Sequence, residues 1–102
     1  METKNRWAII TRDWDKAKLT LGKIGAGVDS PVATYKTTKT RIEATFENGI
    51  YVRWIDPYSE AAMRGYKFHR AWIDESLRDT ETMRRMIMPC MICAQKEDIQ
   101  WI

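Results

Sequence analysis

A predicted β-hairpin over residues 40–55 restricts the fold of this chain more than any other stretch of its sequence. Two runs rich in β-branched and aromatic residues flank Asn48 and Gly49, a dipeptide that favours tight reversal between antiparallel strands. Apolar and polar residues alternate in both runs, which gives the hairpin one apolar face. Because that face must be covered, the chain needs a second layer packed against a sheet.

The length of the turn decides which side chains share a face. A two-residue turn would pair Phe46 with Tyr51 and mix polar with apolar residues on both faces, whereas a three-residue loop at 47–49 separates them. The longer loop requires Gly49 in the left-handed conformation, which glycine adopts without a steric penalty. We therefore predict the three-residue loop, in which the facing pairs are Phe46 with Ile50, Ala44 with Val52, Ile42 with Trp54 and Glu43 with Arg53.

The residues before the hairpin predict a strand and a helix. Residues 6–11 form a short apolar run typical of a strand, and Asp13 is placed to cap a helix after it. An apolar stripe at helical spacing predicts that helix over 14–24, with glycines ending it. The competing interpretation is a strand over 18–24, where apolar and polar residues alternate. Residues 32–39 either open the next strand or form a mobile, solvated segment.

The residues after the hairpin continue the alternation. The sequence predicts a helical turn over 59–63, a strand over 67–73, a helix over 80–88 capped by Asp79, and a short strand over 99–102. This order indicates a single domain over residues 1–102 of the α/β (or α+β) class. Its one sheet includes the hairpin and has helices packed on it.

The predicted strand over 67–73 ends in two adjacent carboxylates, Asp74 and Glu75. Ligands of open α/β sheets bind beyond the carboxyl ends of the strands, so this pair is the candidate catalytic site. The competing interpretation is structural: the two acids end the strand and cap the helical region that follows. We favour the structural interpretation, because a short motif without supporting residues is a weak signal.

From Thr45 to Pro89 the sequence resembles the ATPase domain of phage large terminases, the motors that package DNA. The resemblance rests on residues 46–50, on Ser59, on the Arg-Gly-Tyr run at 64–66, and on residues 71–75, which are similar to a Walker B strand. It implies an ancestry in a phage or prophage and a fold related to part of that ATPase.

The resemblance also implies roles for the two acids. Asp74 would help to hold magnesium, and Glu75 would orient the attacking water. The chain contains no G-x-x-x-x-G-K-[ST] motif to cradle phosphates, and Gly22-Lys23 is followed by Ile24 where Ser or Thr is needed. The resemblance therefore implies a fragment or relative that cannot run the motor alone.

A second candidate site is a group of basic residues near tyrosines. If the hairpin lies beside the 67–73 strand, these cations converge on one surface and contact phosphates while tyrosines stack on bases. The alternative is an ordinary solvated face. The net charge of +3 permits contact with nucleic acid without requiring it. The four candidates for binding a partner or nucleic acid are Arg53, Arg64, Lys67 and Arg70.

Metal and redox sites have little support in the sequence. Cys90 and Cys93 form a C-x-x-C pair, but a zinc site takes four ligands and the chain adds only His69, which we expect to be exposed beside cations. We predict two buried, reduced thiols, no metal and no cofactor. Residues 1–5 are polar and no apolar run reaches membrane-spanning length, which predicts a cytoplasmic protein without a membrane partner.

Two hypotheses about function follow. The first is a small non-enzymatic phage or prophage protein that binds a macromolecule, such as a host protein or a packaging component. The second is an ATPase-related or nucleic-acid-handling protein with chemistry at Asp74 and Glu75. The missing phosphate loop favours the first. The sequence leaves the identity of the partner and the oligomeric state open.

Overall fold

A computed structural model describes residues 6–57, 66–90 and 98–102. In these residues the chain forms one mixed sheet of six strands in the order β2-β3-β4-β1-β5-β6, which confirms the α/β class. Strand β1 is parallel to β4 and β5, and β6 is parallel to β5, while β2, β3 and β4 form an antiparallel meander. The elements are β1 (Arg6–Ile10), α1 (Trp14–Gly27), β2 (Val32–Thr37), β3 (Ile42–Phe46), β4 (Tyr51–Ile55), β5 (Arg70–Ile73) and β6 (Ile99–Trp101).

The β3–β4 hairpin has the predicted register and the predicted three-residue loop. The backbone N–H of Phe46 donates to the carbonyl of Ile50 at 2.8 Å, and Glu43 pairs with Arg53. Gly49 has a φ of 96°, the left-handed conformation that the loop requires. The six apolar side chains of the hairpin therefore share one face and pack in the core beneath α1.

Gly49→Val is expected to lower the free energy of unfolding by about 1–2 kcal/mol, because a β-branched residue is strained at positive φ. Asn48→Ala is the matched control. It removes the side-chain oxygen that accepts from the Ile50 N–H at 3.1 Å, an exposed hydrogen bond with a net contribution of about 0.5–1 kcal/mol. Urea denaturation measures both variants, and equal losses would contradict the strained position of Gly49.

Helix α1 begins at its predicted cap and runs beyond its predicted end. Asp13 accepts a hydrogen bond from the Lys16 N–H at 3.1 Å, and the helix continues through Gly27. Its buried residues Ala17, Leu21 and Ile24 recur at helical spacing, so the alternative of a strand over 18–24 is wrong. Residues 32–37 form strand β2 at the edge of the sheet, which settles the other open alternative in favour of a strand.

Two layers cover the sheet unequally. Helix α1 packs over β1, β3 and β4, on what we call the α1 face. Residues of the 66–90 segment cover the opposite face, where Phe68, Leu77 and Ile87 bury the apolar side chains of β1 and β5. The α1 face of β5 and β6 therefore has no helix over it in the described part of the chain.

The segment after the hairpin departs from prediction. Strand β5 begins at Arg70 instead of 67. The predicted helix over 80–88 is a short helical turn followed by a π-helix at Met83–Ile87 and a 3-10 turn at Met88–Cys90. Pro89 supplies the physical reason, since a proline lacks the N–H that an α-helical ladder needs and its ring clashes with the carbonyl four residues earlier.

The predicted helix cap was also wrong. Asp79 has a positive φ of 62°. Instead, the hydroxyl oxygen of Thr80 accepts a hydrogen bond from the Met83 N–H at 3.2 Å. The turn predicted at 59–63 lies outside the described residues, and none of the helices within them has the length and apolar character needed to cross a membrane.

Candidate functional site

The carboxylate of Asp74 is held by groups from two other parts of the fold. Thr11, at the end of β1 on the same edge of the sheet, donates its hydroxyl to Asp74 Oδ2 at 2.7 Å, and Lys16 Nζ lies 3.4 Å from that oxygen. The other oxygen, Oδ1, accepts from the backbone N–H of Ser76 at 3.0 Å and caps the 3-10 turn Glu75–Leu77. Both oxygens thus hold the carboxyl edge of the sheet together.

These contacts determine the ionisation of Asp74. Burial acts to raise the pKa of the carboxyl group, but hydrogen bonds from Thr11 and Ser76 and the charge of Lys16 together outweigh it and lower the pKa from 3.8 to about 2. The ionised form therefore stabilises the fold above about pH 4. That contribution is lost as the pH falls towards 2, because the folded protein resists protonation more than the unfolded chain does.

Glu75 does not join Asp74 in an enclosed site. Its side chain is 59% exposed and forms an ion pair with Arg78, at 3.4 Å, on the same 3-10 turn. Its backbone N–H donates to the carbonyl of Ile102 at 2.7 Å, which ties the turn to the end of β6. Among the described residues no group of three or more His, Cys, Asp or Glu side chains is arranged to hold a metal ion. This geometry favours the structural interpretation of the pair.

The basic residues predicted to form one patch are not brought together. Arg53 and Arg70 pair with adjacent residues of β1, and adjacent residues of a strand face opposite sides of the sheet. The two arginines therefore lie on opposite faces of the sheet. They are also separated by β1, which runs between the two strands that the prediction had placed side by side. Lys67 is exposed and donates to the carbonyl of Pro89 at 3.2 Å, and Arg64 lies outside the described residues.

On the face opposite α1, Arg53 takes part in an aromatic cluster. The guanidinium groups of Arg53 and Arg6 lie 5.2 and 4.6 Å from the centroid of the Tyr66 ring. Tyr66 is buried, which raises its pKa, and its neutral hydroxyl donates to the carbonyl of Trp7 at 2.9 Å. Arg53 thus packs against a buried ring and contributes to the structure of this face.

The histidine and cysteine positions carry no evident chemistry in the described residues. His69, which was expected to be exposed, is only 9% exposed, and its two ring nitrogens have no hydrogen-bond partner there. Cys90 is buried as predicted; burial raises its pKa against the opposing charge of Lys67, a combination typical of an unreactive structural thiol. Cys93 lies outside the described residues.

A cleft of about 620 Å³ opens where α1 stops covering the sheet. Its floor contains Trp7, Trp72 and Gln100, which come from the neighbouring strands β1, β5 and β6. The centroids of the two indole rings are 5.4 Å apart. The volume lies in the range typical of ligand-binding clefts, and the two rings of the floor are tilted by 49° to each other.

Cations line both sides of this cleft. Lys16 and Lys23 lie on one face of α1, because seven residues make two turns, and they are about 10 Å apart along the helix axis. On the sheet, the guanidinium of Arg70 lies over the rings of Trp7 and Trp72, 5.2 and 5.0 Å from their centroids. No acidic side chain lines the cleft in the part of the chain that the structure describes. The cleft therefore combines positive charge with a pair of aromatic rings in contact.

Among these residues, only Arg70 was predicted from the sequence to bind a partner. The seven-residue spacing of Lys16 and Lys23 was a readable signal for one charged helix face. Their proximity to Trp7 and Trp72 was not readable, because it depends on β1 and β5 being neighbours although they are far apart in the chain.

Comparison with known proteins adds no identification. No protein-family model, no curated protein and no solved structure matches this chain. The similarity to terminases therefore remains a resemblance carried by the residues between 45 and 89.

Proposed function

We propose that this chain is a small, non-enzymatic phage or prophage protein, related to part of a terminase ATPase fold, that binds a macromolecular partner in the bacterial cytoplasm. The observation that carries the proposal is a contrast on the α1 face. Asp74 is engaged through both oxygens, whereas the cleft beside it is lined by Lys23, Arg70 and Trp72. A carboxylate committed to internal contacts is a poor metal ligand or base, while a cleft that combines cations with aromatic side chains is suited to binding.

The composition of the cleft supports a macromolecular partner. Tryptophan and arginine are enriched at the energetic centres of interfaces, and here Trp7, Trp72 and Arg70 form one contact group. The group is already assembled, so that little side-chain entropy is lost on binding. A host protein or a component of the packaging machinery is the kind of partner that the terminase resemblance implies.

One further observation supports the relation to part of an ATPase, and another supports the lack of motor activity. Asp74 follows β5 at the carboxyl edge of the parallel part of the sheet, which is where the resemblance places the first Walker B acid. The absence of a phosphate-loop motif from the sequence supports a protein without motor activity.

Photo-crosslinking in bacterial cells tests the proposal. A benzophenone amino acid at Leu19, which lines the cleft and is 62% exposed, is expected to give a covalent adduct with a macromolecule while leaving the cationic residues intact. The matched control is the same substitution at Tyr35, which is 55% exposed on β2 at the far edge of the sheet. No adduct from Leu19, or equal adducts from both positions, would contradict binding in the cleft.

The second candidate function is nucleotide hydrolysis at Asp74 and Glu75. It is favoured by one observation, the position of both acids beyond the carboxyl end of β5. The two functions differ in the response to Glu75→Gln. The enzyme would be favoured over the binding protein if the purified protein retained a steady rate of ATP hydrolysis and this substitution abolished that rate.

A further inference from the structure

We infer that the cleft between α1 and strands β5 and β6 binds single-stranded nucleic acid, with phosphates held by Lys23, Arg70 and Lys16 and with bases stacked on the Arg70 guanidinium beside Trp72. The inference rests on the proposed function, since it names the class of partner for the same cleft. It differs from the patch predicted from the sequence, of which only Arg70 takes part.

The charge of the cleft selects an anionic occupant. The chain as a whole is nearly balanced, with 17 basic and 14 acidic residues, but the described lining of the cleft has three cations and no acidic side chain. Lys23 and Arg70 form no ion pair among the described residues, whereas Lys16 already lies 3.4 Å from Asp74. Lys23 and Arg70 are thus the main phosphate contacts, and Lys16 is a weaker one.

The stacked geometry of Arg70 favours a nucleic acid over an acidic protein segment. The guanidinium is held over Trp7 and Trp72, so that its planar group is oriented before any ligand arrives. Nucleobases stack on arginine planes and on aromatic rings, and each stacked base contributes substantially to affinity. An acidic peptide would use the three charges but would leave the planar surfaces unused.

The form of the cleft favours a single strand over a duplex. In a duplex the bases are stacked on one another inside the helix, and their faces are not accessible to protein side chains. A volume of about 620 Å³ between a helix and a sheet admits a narrow chain and not a whole double helix. The separation of about 10 Å between Lys16 and Lys23 corresponds to about three stacked nucleotides at roughly 3.4 Å each.

Fluorescence anisotropy with labelled oligothymidylate tests the inference on the full chain. We expect binding at low salt, quenching of tryptophan fluorescence, and a slope of log affinity against log salt of about −1.4 to −2.1 for two or three phosphate contacts. Lys23→Gln combined with Arg70→Gln is expected to weaken binding at least about tenfold. Lys36→Gln combined with Lys39→Gln, an equal loss of two charges at exposed positions on and just after β2, is the matched control and should leave affinity unchanged.

Three results would overturn the inference. The first is no binding of oligothymidylate at low salt. The second is binding that the double substitution does not weaken, or that Arg53→Gln or Lys67→Gln weakens as much. The third is a change in the class of ligand. Equal binding of a duplex without tryptophan quenching would assign the cleft to contacts with the phosphate backbone alone, and displacement by poly-glutamate at equal charge would assign it to an acidic protein segment.

The crosslinking experiment separates failure of this inference from failure of the proposed function. If nuclease removes the crosslinked partner from Leu19 and protease does not degrade that partner, the result supports single-stranded nucleic acid. An adduct that is resistant to nuclease and sensitive to protease keeps the proposed function and overturns the inference. The absence of any adduct specific to Leu19 contradicts both.

Discussion

Phe68→Ala is expected to lower the free energy of unfolding by about 3–5 kcal/mol, which is the usual cost of truncating a fully buried phenylalanine. Phe68 has no exposed surface and belongs to the core on the face opposite α1. Its ring lies 5.9 Å from that of Tyr66, centroid to centroid, and its backbone N–H donates to the carbonyl of Cys90 at 3.0 Å. The side chain therefore fills the space between the sheet and the 66–90 segment, and its removal leaves a cavity.

Urea denaturation at neutral pH measures this loss. Leu19→Ala is the control, because Leu19 is 62% exposed and its truncation is expected to change stability by less than about 0.5 kcal/mol. A loss for Phe68→Ala no larger than that for Leu19→Ala would show that residues 66–90 do not cover the sheet in solution as they do in the structure.

Thr11→Val is expected to lower the free energy of unfolding by about 2–3 kcal/mol at pH 7. The substitution keeps the shape of a fully buried side chain but removes the hydroxyl that donates to Asp74 and accepts from the Asp13 N–H at 3.1 Å. Asp74 is left as a largely buried carboxylate with one hydrogen bond fewer. The lowering of its pKa from 3.8 to about 2 corresponds to roughly 2 kcal/mol, and the hydrogen bond from Thr11 is one of the contributions to it.

The pH dependence distinguishes loss of the carboxylate contact from loss of packing. The pKa of Asp74 in the folded variant should rise towards 3.8, so the difference from wild type should be full above about pH 4 and shrink as the pH falls towards 2. Thr11→Ser keeps the hydroxyl and should keep most of the stability together with the wild-type pH dependence. A loss in Thr11→Val that is the same at all pH values would contradict the proposed role of the hydroxyl.

The hairpin was predictable because its information is local. The alternation of apolar residues and the conformational freedom of Gly49 together select one register, and the structure has that register. The N-cap at Asp13 was predictable for the same reason, since a short side chain three residues before an accessible N–H satisfies that donor. Patterns that act over a few residues can be read from the sequence without knowledge of the rest of the fold.

The candidate site was less predictable because it depends on strand order. Nothing in the periodicity of residues 6–10 states that this strand lies between two strands that come later in the chain. That order places Arg53 and Arg70 on opposite faces and brings Trp7 beside Trp72. The carboxylates at 74 and 75 were identified, but not the partners of Asp74. Those partners, Thr11 and Lys16, lie near the start of the chain and reach Asp74 only through tertiary packing.

The central position of β1 determines when the sheet can be completed during synthesis. Thr11 and its partner Asp74 are 63 residues apart, and at about 5–20 residues per second a ribosome needs roughly 3–13 s to produce that interval. The β3–β4 hairpin closes through its own short loop in that time, but β1 cannot gain its second neighbour before β5 has emerged. During those seconds Ile10, whose cover comes from residues 66–90, remains exposed on a nascent chain, as part of a segment that chaperones recognise and that other chains can pair with.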